Sequence, residues 1–457
     1  MQVLKTNVFR TIIAILLLLP ASAAAQMLAN SVNTYSPYSM YGLGELSSKG
    51  NVVQRSMGGI GVAMWTNNMV NVMNPAAYAL TPQQSFLFNF GMEGAHFRNE
   101  QTKYGTDKKI ETAYNTVNIH DIAFQMPLAK NLGLGFSLTP YSSVGYNMYG
   151  DDLSQDIAGN VGRVRYQYLG DGDVTEVKAG LGWKPVNSVA IGVAAIYYWG
   201  NIERSYETKV SNITGDGAYS STLGVDTYDV SRFKLQAGIM WNPIYRDERI
   251  LTLAATYDLG GPMKPSMMKY VYVDNVLTSV VRQENDSALP LRLPHQFSAG
   301  FFYQTLKIRV GADYVYQNWG SQNSSFIESG GKGVHVAYTD THTIKAGFEI
   351  VPRASDVTHY LNRVAYRIGA RMGDYYQTFG GSRVKQYAVT AGVGLPIRLF
   401  GRSSVNVGFE FGMRRPESDN IKVGEEMVGM IKQTYFKASI GLNLFGEDRW
   451  FVRYKFD

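Results

Sequence analysis

Beyond the first two dozen residues no apolar run is long enough to cross a bilayer as a helix, yet long stretches carry an apolar residue at every second position. From Tyr387, the residues Val389, Ala391, Val393 and Leu395 share one face, and Ala388, Thr390, Gly392 and Gly394 share the other. The same dyad sets Val405, Val407, Phe409, Phe411 and Met413 against Asn406, Gly408, Glu410, Gly412 and Arg414. It returns in Ile308 to Gln317 and in Lys437 to Leu444. Such runs are strands with one apolar face. Where a chain must satisfy every backbone group inside lipid without helices, the remaining solution is a closed barrel.

The N-terminus sets the address. Lys5 and Arg10 precede an apolar run from Ile12 to Leu19, followed by Pro20 and the triplet Ala23-Ala24-Ala25. This order reads as a secretory signal peptide over residues 1–25, cleaved before Gln26. Removing its two cations lowers the formal net charge from +6 to +4, too small and too dispersed for a nucleic-acid surface. There is no cysteine, hence no disulfide framework and no thiolate metal site. With 31 Tyr and 47 Gly against 18% charged residues, the balance suits a membrane-water interface and crowded barrel walls better than a soluble enzyme.

Counting dyads predicts an all-β fold, a transmembrane antiparallel barrel of about fourteen strands between residues 85 and 445. The predicted strands are 85–97, 115–128, 131–145, 173–184, 187–207, 226–242, 249–260, 293–304, 307–319, 340–351, 363–377, 383–398, 401–414 and 431–445. Short links such as Gln304 to Lys307 alternate with long ones such as Tyr146 to Gly172, as periplasmic turns and outer loops do. The tail, residues 446–457, is read as a periplasmic end or a last strand; sixteen strands result if Trp450 to Phe456 and Val164 to Tyr168 pair as well.

Residues 26–84 do not follow the dyad and are read as a plug. They hold Ser36-Pro37-Tyr38-Ser39-Met40-Tyr41-Gly42-Leu43-Gly44, then Met57-Gly58-Gly59-Ile60-Gly61-Val62-Ala63, then Asn74-Pro75-Ala76. Ahead of a barrel, these motifs resemble the long-chain fatty-acid outer-membrane transporter (FadL-like) family. The resemblance implies a hatch folded inside a fourteen-stranded barrel, with Asn74, Pro75 and Ala76 as its hatch motif. It also implies a kinked third strand that opens the wall sideways. Gly58, Gly59 and Gly61 then allow close packing in the lumen. Pro140 interrupts the third predicted strand and cannot donate a ladder hydrogen bond, so Thr139, Pro140, Tyr141 and Gly145 mark the expected kink. The plainer alternative ends that strand at Leu138.

The faces opposite the apolar ones carry eleven charges, among them Lys178, Asp313, Lys345, Glu349, Arg367, Arg371, Glu410 and Arg414. Buried charges pair, so a self-neutralising network is the first expectation. The second is that Arg367 and Arg371 hold the carboxylate of an amphipathic ligand through their planar forks. Nothing points to catalysis, a metal or a cofactor. The six histidines have no zinc spacing, no nucleophile elbow or phosphate loop occurs, and His120 and Asp121, as strand neighbours, should face opposite ways. Asp151-Asp152 and Asp171-Gly172-Asp173 fall in one predicted outer loop without a calcium-loop spacing.

The function expected from these features is passive uptake of hydrophobic or amphipathic small molecules, such as long-chain fatty acids, across the outer membrane. Its partners are membrane lipid and such a ligand, with no nucleic acid. The rival reading is a non-transporting barrel of the same superfamily that docks proteins within a secretion or surface-attachment complex.

Overall fold

A computed structural model describes residues 34–105, 108–152, 162–212, 220–246, 248–263, 266–284, 292–322, 334–397, 403–423 and 426–447. The expected signal peptide and the tail from Trp450 lie outside these residues. Fourteen strands form the wall, β1 (Ser85–Thr102), β2 (Lys109–Ala129), β3 (Leu132–Asp152), β4 (Gly162–Val186), β5 (Val189–Asn212), β6 (Thr222–Arg246) and β7 (Arg249–Asp258), then β8 (Gln296–Thr305), β9 (Ile308–Gln317), β10 (Thr341–Ile350), β11 (Ala365–Phe379), β12 (Ser382–Pro396), β13 (Ser404–Pro416) and β14 (Ile431–Glu447). Each pairs antiparallel with its sequence neighbour, and β14 returns to β1 from Glu447↔Ser85 to Ile431↔Gln101, which closes the barrel.

The dyad produces this wall directly. On β12, Tyr387 and Val389 are exposed while Ala388 and Thr390 are buried, and on β13 Phe409 and Phe411 face out around Glu410. The exposed faces are apolar because lipid meets them. Strands β7 to β10 have ten residues each, about 33 Å of chain, enough to cross a hydrocarbon core at a tilt. Strands β4 to β6 have 24 or 25 residues and rise well past it. A hairpin, Ser266–Val273 and Val276–Glu284, takes over beside the upper half of β6 where β7 has ended. Its turn, Asp274-Asn275, has positive φ at both residues, the geometry that matches strand twist in two-residue hairpins.

Three expectations need correction. The predicted outer loop from Tyr146 to Gly172 is mostly strand, since β3 runs to Asp152 and β4 starts at Gly162, with Tyr146 opposite Gly170. Both aspartate pairs therefore lie on strands, and Val164 to Tyr168 belongs to β4 instead of forming a further strand. Strand β3 also continues through Pro140 instead of ending at Leu138. Short and long links do not alternate strictly, because β11 and β12 join on the outer side through Gly380-Gly381 while residues 351–364 form a long connection on the short-turn rim.

The segment from Thr34 to Thr81 fills the lumen. It contains a short helix Pro37–Met40, a two-residue strand Glu45–Leu46, a helical turn Val52–Arg55 closed by a capping box between Asn51 and Gln54, and a helix Pro75–Leu80.

Candidate functional site

The plug meets the wall through its backbone where the wall has no side chains. Asn74 caps Pro75–Leu80 by accepting from Ala76 N–H at 3.0 Å, and its amide donates to Val62 O at 2.9 Å. Ala76 is fully buried, and the helix lies on Gly182 of β4, where an added Cβ would come within 2.6 Å of Ala79 N and 2.7 Å of Pro75 O. On the other side of the lumen Gly58, at φ +71°, presses between β10 and β11, with room for no side chain: a Cβ would lie 2.5 Å from Ala346 O and 2.6 Å from Ala370 O. Gly58 N–H donates to Thr390 Oγ1 at 2.9 Å, and Gly61 and Val62 both donate to one carboxylate oxygen of Asp313, at 2.6 and 2.9 Å. Gly59, at φ +80°, lies beside Lys345 and Arg371.

Between residues 26 and 84 the chain has three charged residues, Glu45, Lys49 and Arg55. All three are ion-paired to the wall. Glu45 faces Arg414 of β13, Lys49 reaches Glu176 of β4 at 3.0 Å, and Arg55 reaches Glu93 of β1, which also meets Lys437 at 3.3 Å. Burial, the largest single influence, pushes the Glu45 carboxyl upward, but the Arg414 guanidinium, Lys437 and the Thr34 hydroxyl together hold the group below its ordinary value. Burial likewise pulls Lys49 down most strongly, and Glu176 with Asp258 together hold the ammonium above its ordinary value. Sequence reading named none of these three. The available signal was their scarcity, since a charge in an otherwise uncharged buried segment needs a partner.

Pairing between two wall strands stops beside the plug. Pairing of β2 with β3 runs up to Ile122↔Leu138 and stops, while β3 continues on its other side with β4. Thr139 and Pro140 begin the unpaired stretch, and Tyr141 is the extra residue of a bulge between Pro140 and Ser142. Tyr141 packs edge-on against Tyr198 at 4.6 Å. Beyond it the plug strand supplies the missing neighbour, Leu46↔Ser142 and Glu45↔Ser143, and Gly145 O accepts from Ser36 N–H at 2.9 Å and Ser39 Oγ at 3.0 Å. A cavity of about 400 Å³ leads from this gap, between Ile122, Leu138 and Pro140, to Lys345 and Arg371 in the lumen.

Arg367 and Arg371 do not share a site. Arg367 donates to Glu349 at 2.5 Å and to Asn406 at 2.9 Å, and Arg309 holds the other oxygen of Glu349 at 2.6 Å. This cluster lines a small separate void. Arg371 pairs with Glu410 at 2.5 Å and lines the main cavity. His120 and Asp121 depart from expectation. The register of β1 and β2 shifts at Gly91, and both side chains turn inward, His120 Nδ1 to Asp121 Oδ1 at 2.6 Å. The bulge breaks the alternation, and both groups rest over the bare Gly91, where a Cβ would lie 2.5 Å from His120 Nε2.

The BamG family model matches residues 8–457 of the chain. The chain belongs to the BamG family. Its fold is of the FadL type. A Pseudomonas aeruginosa FadL homologue superposes with a TM-score of 0.62 over 88% of this chain and 99% of that one, at 12% identity. The Pseudomonas putida toluene transporter TodX gives 0.55 over 87% and 98% at 12% identity, and the Ralstonia pickettii toluene transporter TbuX gives 0.54 over 87% and 98% at 13%. No curated protein sequence matches. At these identities the solved channels share the architecture with this BamG-family barrel, and its chemistry rests on its own residues.

Proposed function

We propose that this BamG-family barrel sits in the outer membrane as a docking subunit of a complex that exports, assembles or surface-attaches other proteins, with its plug serving as a fixed core. The carrying observation is that every charge of the plug is paired to the wall. These pairs are largely buried, and breaking a buried pair by removing one partner costs about 3–5 kcal/mol. A small molecule bound at micromolar affinity supplies about 8 kcal/mol, less than three such pairs ask.

A second reading, passive passage of hydrophobic or amphipathic molecules, draws on the gap at Pro140. The cavity joins apolar Ile122 and Leu138 to Lys345 and Arg371, an arrangement that fits a hydrocarbon chain with an anionic head. In this reading Asn74, Pro75, Ala76 and the glycines Gly58, Gly59 and Gly61 form the gate, and Thr139 to Tyr141 form the exit.

One experiment separates the two. The native barrel is extracted in mild detergent and sized, and the purified barrel is placed in vesicles with labelled long-chain fatty acid outside. Docking requires a discrete particle well above 50.8 kDa plus bound detergent, and no uptake above empty vesicles. A solitary barrel with plug-dependent uptake refutes it in favour of passage.

A further inference from the structure

The connection of residues 351–364, between β10 and β11, is the longest link on the short-turn rim, and its own hydrogen bonds hold it in shape. Asp356 spends both carboxylate oxygens inside it. One accepts from Thr358 and His359 N–H at 2.9 Å each, and the other accepts from Asn362 Nδ2 at 2.6 Å. Arg353 N–H donates to Asn362 O at 2.7 Å, closing the base of the loop, and Val351 N–H donates to Lys307 O at 2.8 Å, tying it to the β8–β9 turn. Tyr360 OH and Tyr366 OH pin its short helix to Pro396 O and Leu361 O.

This frame displays three large apolar side chains. Val357 is 79% exposed and Leu361 69%, and Leu306 on the tied turn is 69% exposed. Around them lie Arg353, Lys307 and Arg363, which have no ion-pair partner among the described residues, and Arg363 Nε is buried without a hydrogen-bond partner. The loop's one carboxylate is already consumed. The patch is therefore apolar at its centre and cationic around it, and its complement is acidic and apolar.

We propose that the loop 351–364 is a preformed docking surface for a periplasmic protein partner that offers carboxylates beside an apolar side chain. This rests on the docking reading and names the face that does it. The fixed backbone selects a protein over lipid, because an interfacial anchor needs only apolar and basic side chains, whereas a loop ordered in advance lowers the cost of specific recognition.

The chain has no cysteine, so a single Leu361→Cys carries an environment-sensitive dye unambiguously. In phosphatidylglycerol-containing vesicles the dye on the purified barrel stays in water, unquenched by lipid-borne nitroxides. In cells, a photo-crosslinking amino acid at position 357 gives one discrete protein adduct, and Arg353→Glu with Lys307→Glu lowers its yield about tenfold or more, while the barrel still assembles. A crosslinker at position 276, on the opposite rim, gives a different pattern. Quenching by lipid overturns the proposal in favour of membrane anchoring; no adduct, or one insensitive to charge reversal, also overturns it. If the extracted particle keeps its size with the doubly reversed loop, this surface is wrong and docking stands; if the wild-type barrel is solitary, docking itself fails.

Discussion

Arg414 is the sharpest place to test how the plug is held. It is buried, it faces Glu45 through two nitrogens, and Gln433 and Ser36 share the same guanidinium. Arg414→Gln leaves the Glu45 carboxylate in the lumen with the Thr34 hydroxyl donating to it at 2.9 Å and Lys437 as a more remote cation, but without the guanidinium that faces it. Breaking one partner of a buried pair costs about 3–5 kcal/mol. If that energy is lost from the seated plug, transient release becomes about a hundred- to several-thousand-fold more frequent, at 1.4 kcal/mol per tenfold. The reporter is Ser39→Cys, fully buried within the plug's first short helix, in a chain with no other thiol, and its labelling rate counts releases. Adding Glu45→Gln removes the stranded charge and should return most of the rate toward the parent. Unchanged labelling in Arg414→Gln, or a double variant as fast as the single, refutes the ion pair as the lock.

Three further outcomes follow from the same geometry. The Glu45 carboxyl is held below its ordinary value of 4.5, so its contribution is fully present above that pH and fades as pH falls through the depressed value; hydrogen exchange of the plug amides, corrected for intrinsic rate, should stay flat from pH 8 to 5 and rise below about 4, and the doubly neutral variant should lack that acid limb. Gly58→Val places a side chain against Ala346 O and Ala370 O at a left-handed φ, so trypsin should cut at Arg55 in the folded barrel, where the parent resists. Asp121→Ala removes the carboxylate packed against buried His120 over Gly91 and should lower stability by about 0.5–3 kcal/mol, read from urea unfolding.

What the residues revealed in advance, and what they hid, divides along a physical line. All fourteen strands were legible because lipid imposes one rule on every outward side chain, as Tyr387 and Val389 show. Above the bilayer that rule lapses, so the upper parts of β3 and β4, rich in Gly145, Gly170 and Gly172, read as loop although their backbones pair to Asp152 and Val164. Pro140 could be singled out from one strand alone because proline's missing N–H is a property of one residue. Properties of pairs were not. Glu45 and Arg414 are 369 positions apart, and only closure of the barrel brings them together. Arg367 and Arg371 were correctly put on one inner face, yet Glu349 comes from the adjacent β10 and Glu410 from β13, two strands away on the other side, and they divide the arginines between two cavities. His120 and Asp121 show the same limit at closest range: alternation separates adjacent side chains until one bulge, set by the register opposite Gly91, turns them to the same side. The interior chemistry of such a barrel is thus written in register, and a single-strand pattern can foretell which face a charge takes while its partner stays hidden until the sheet closes.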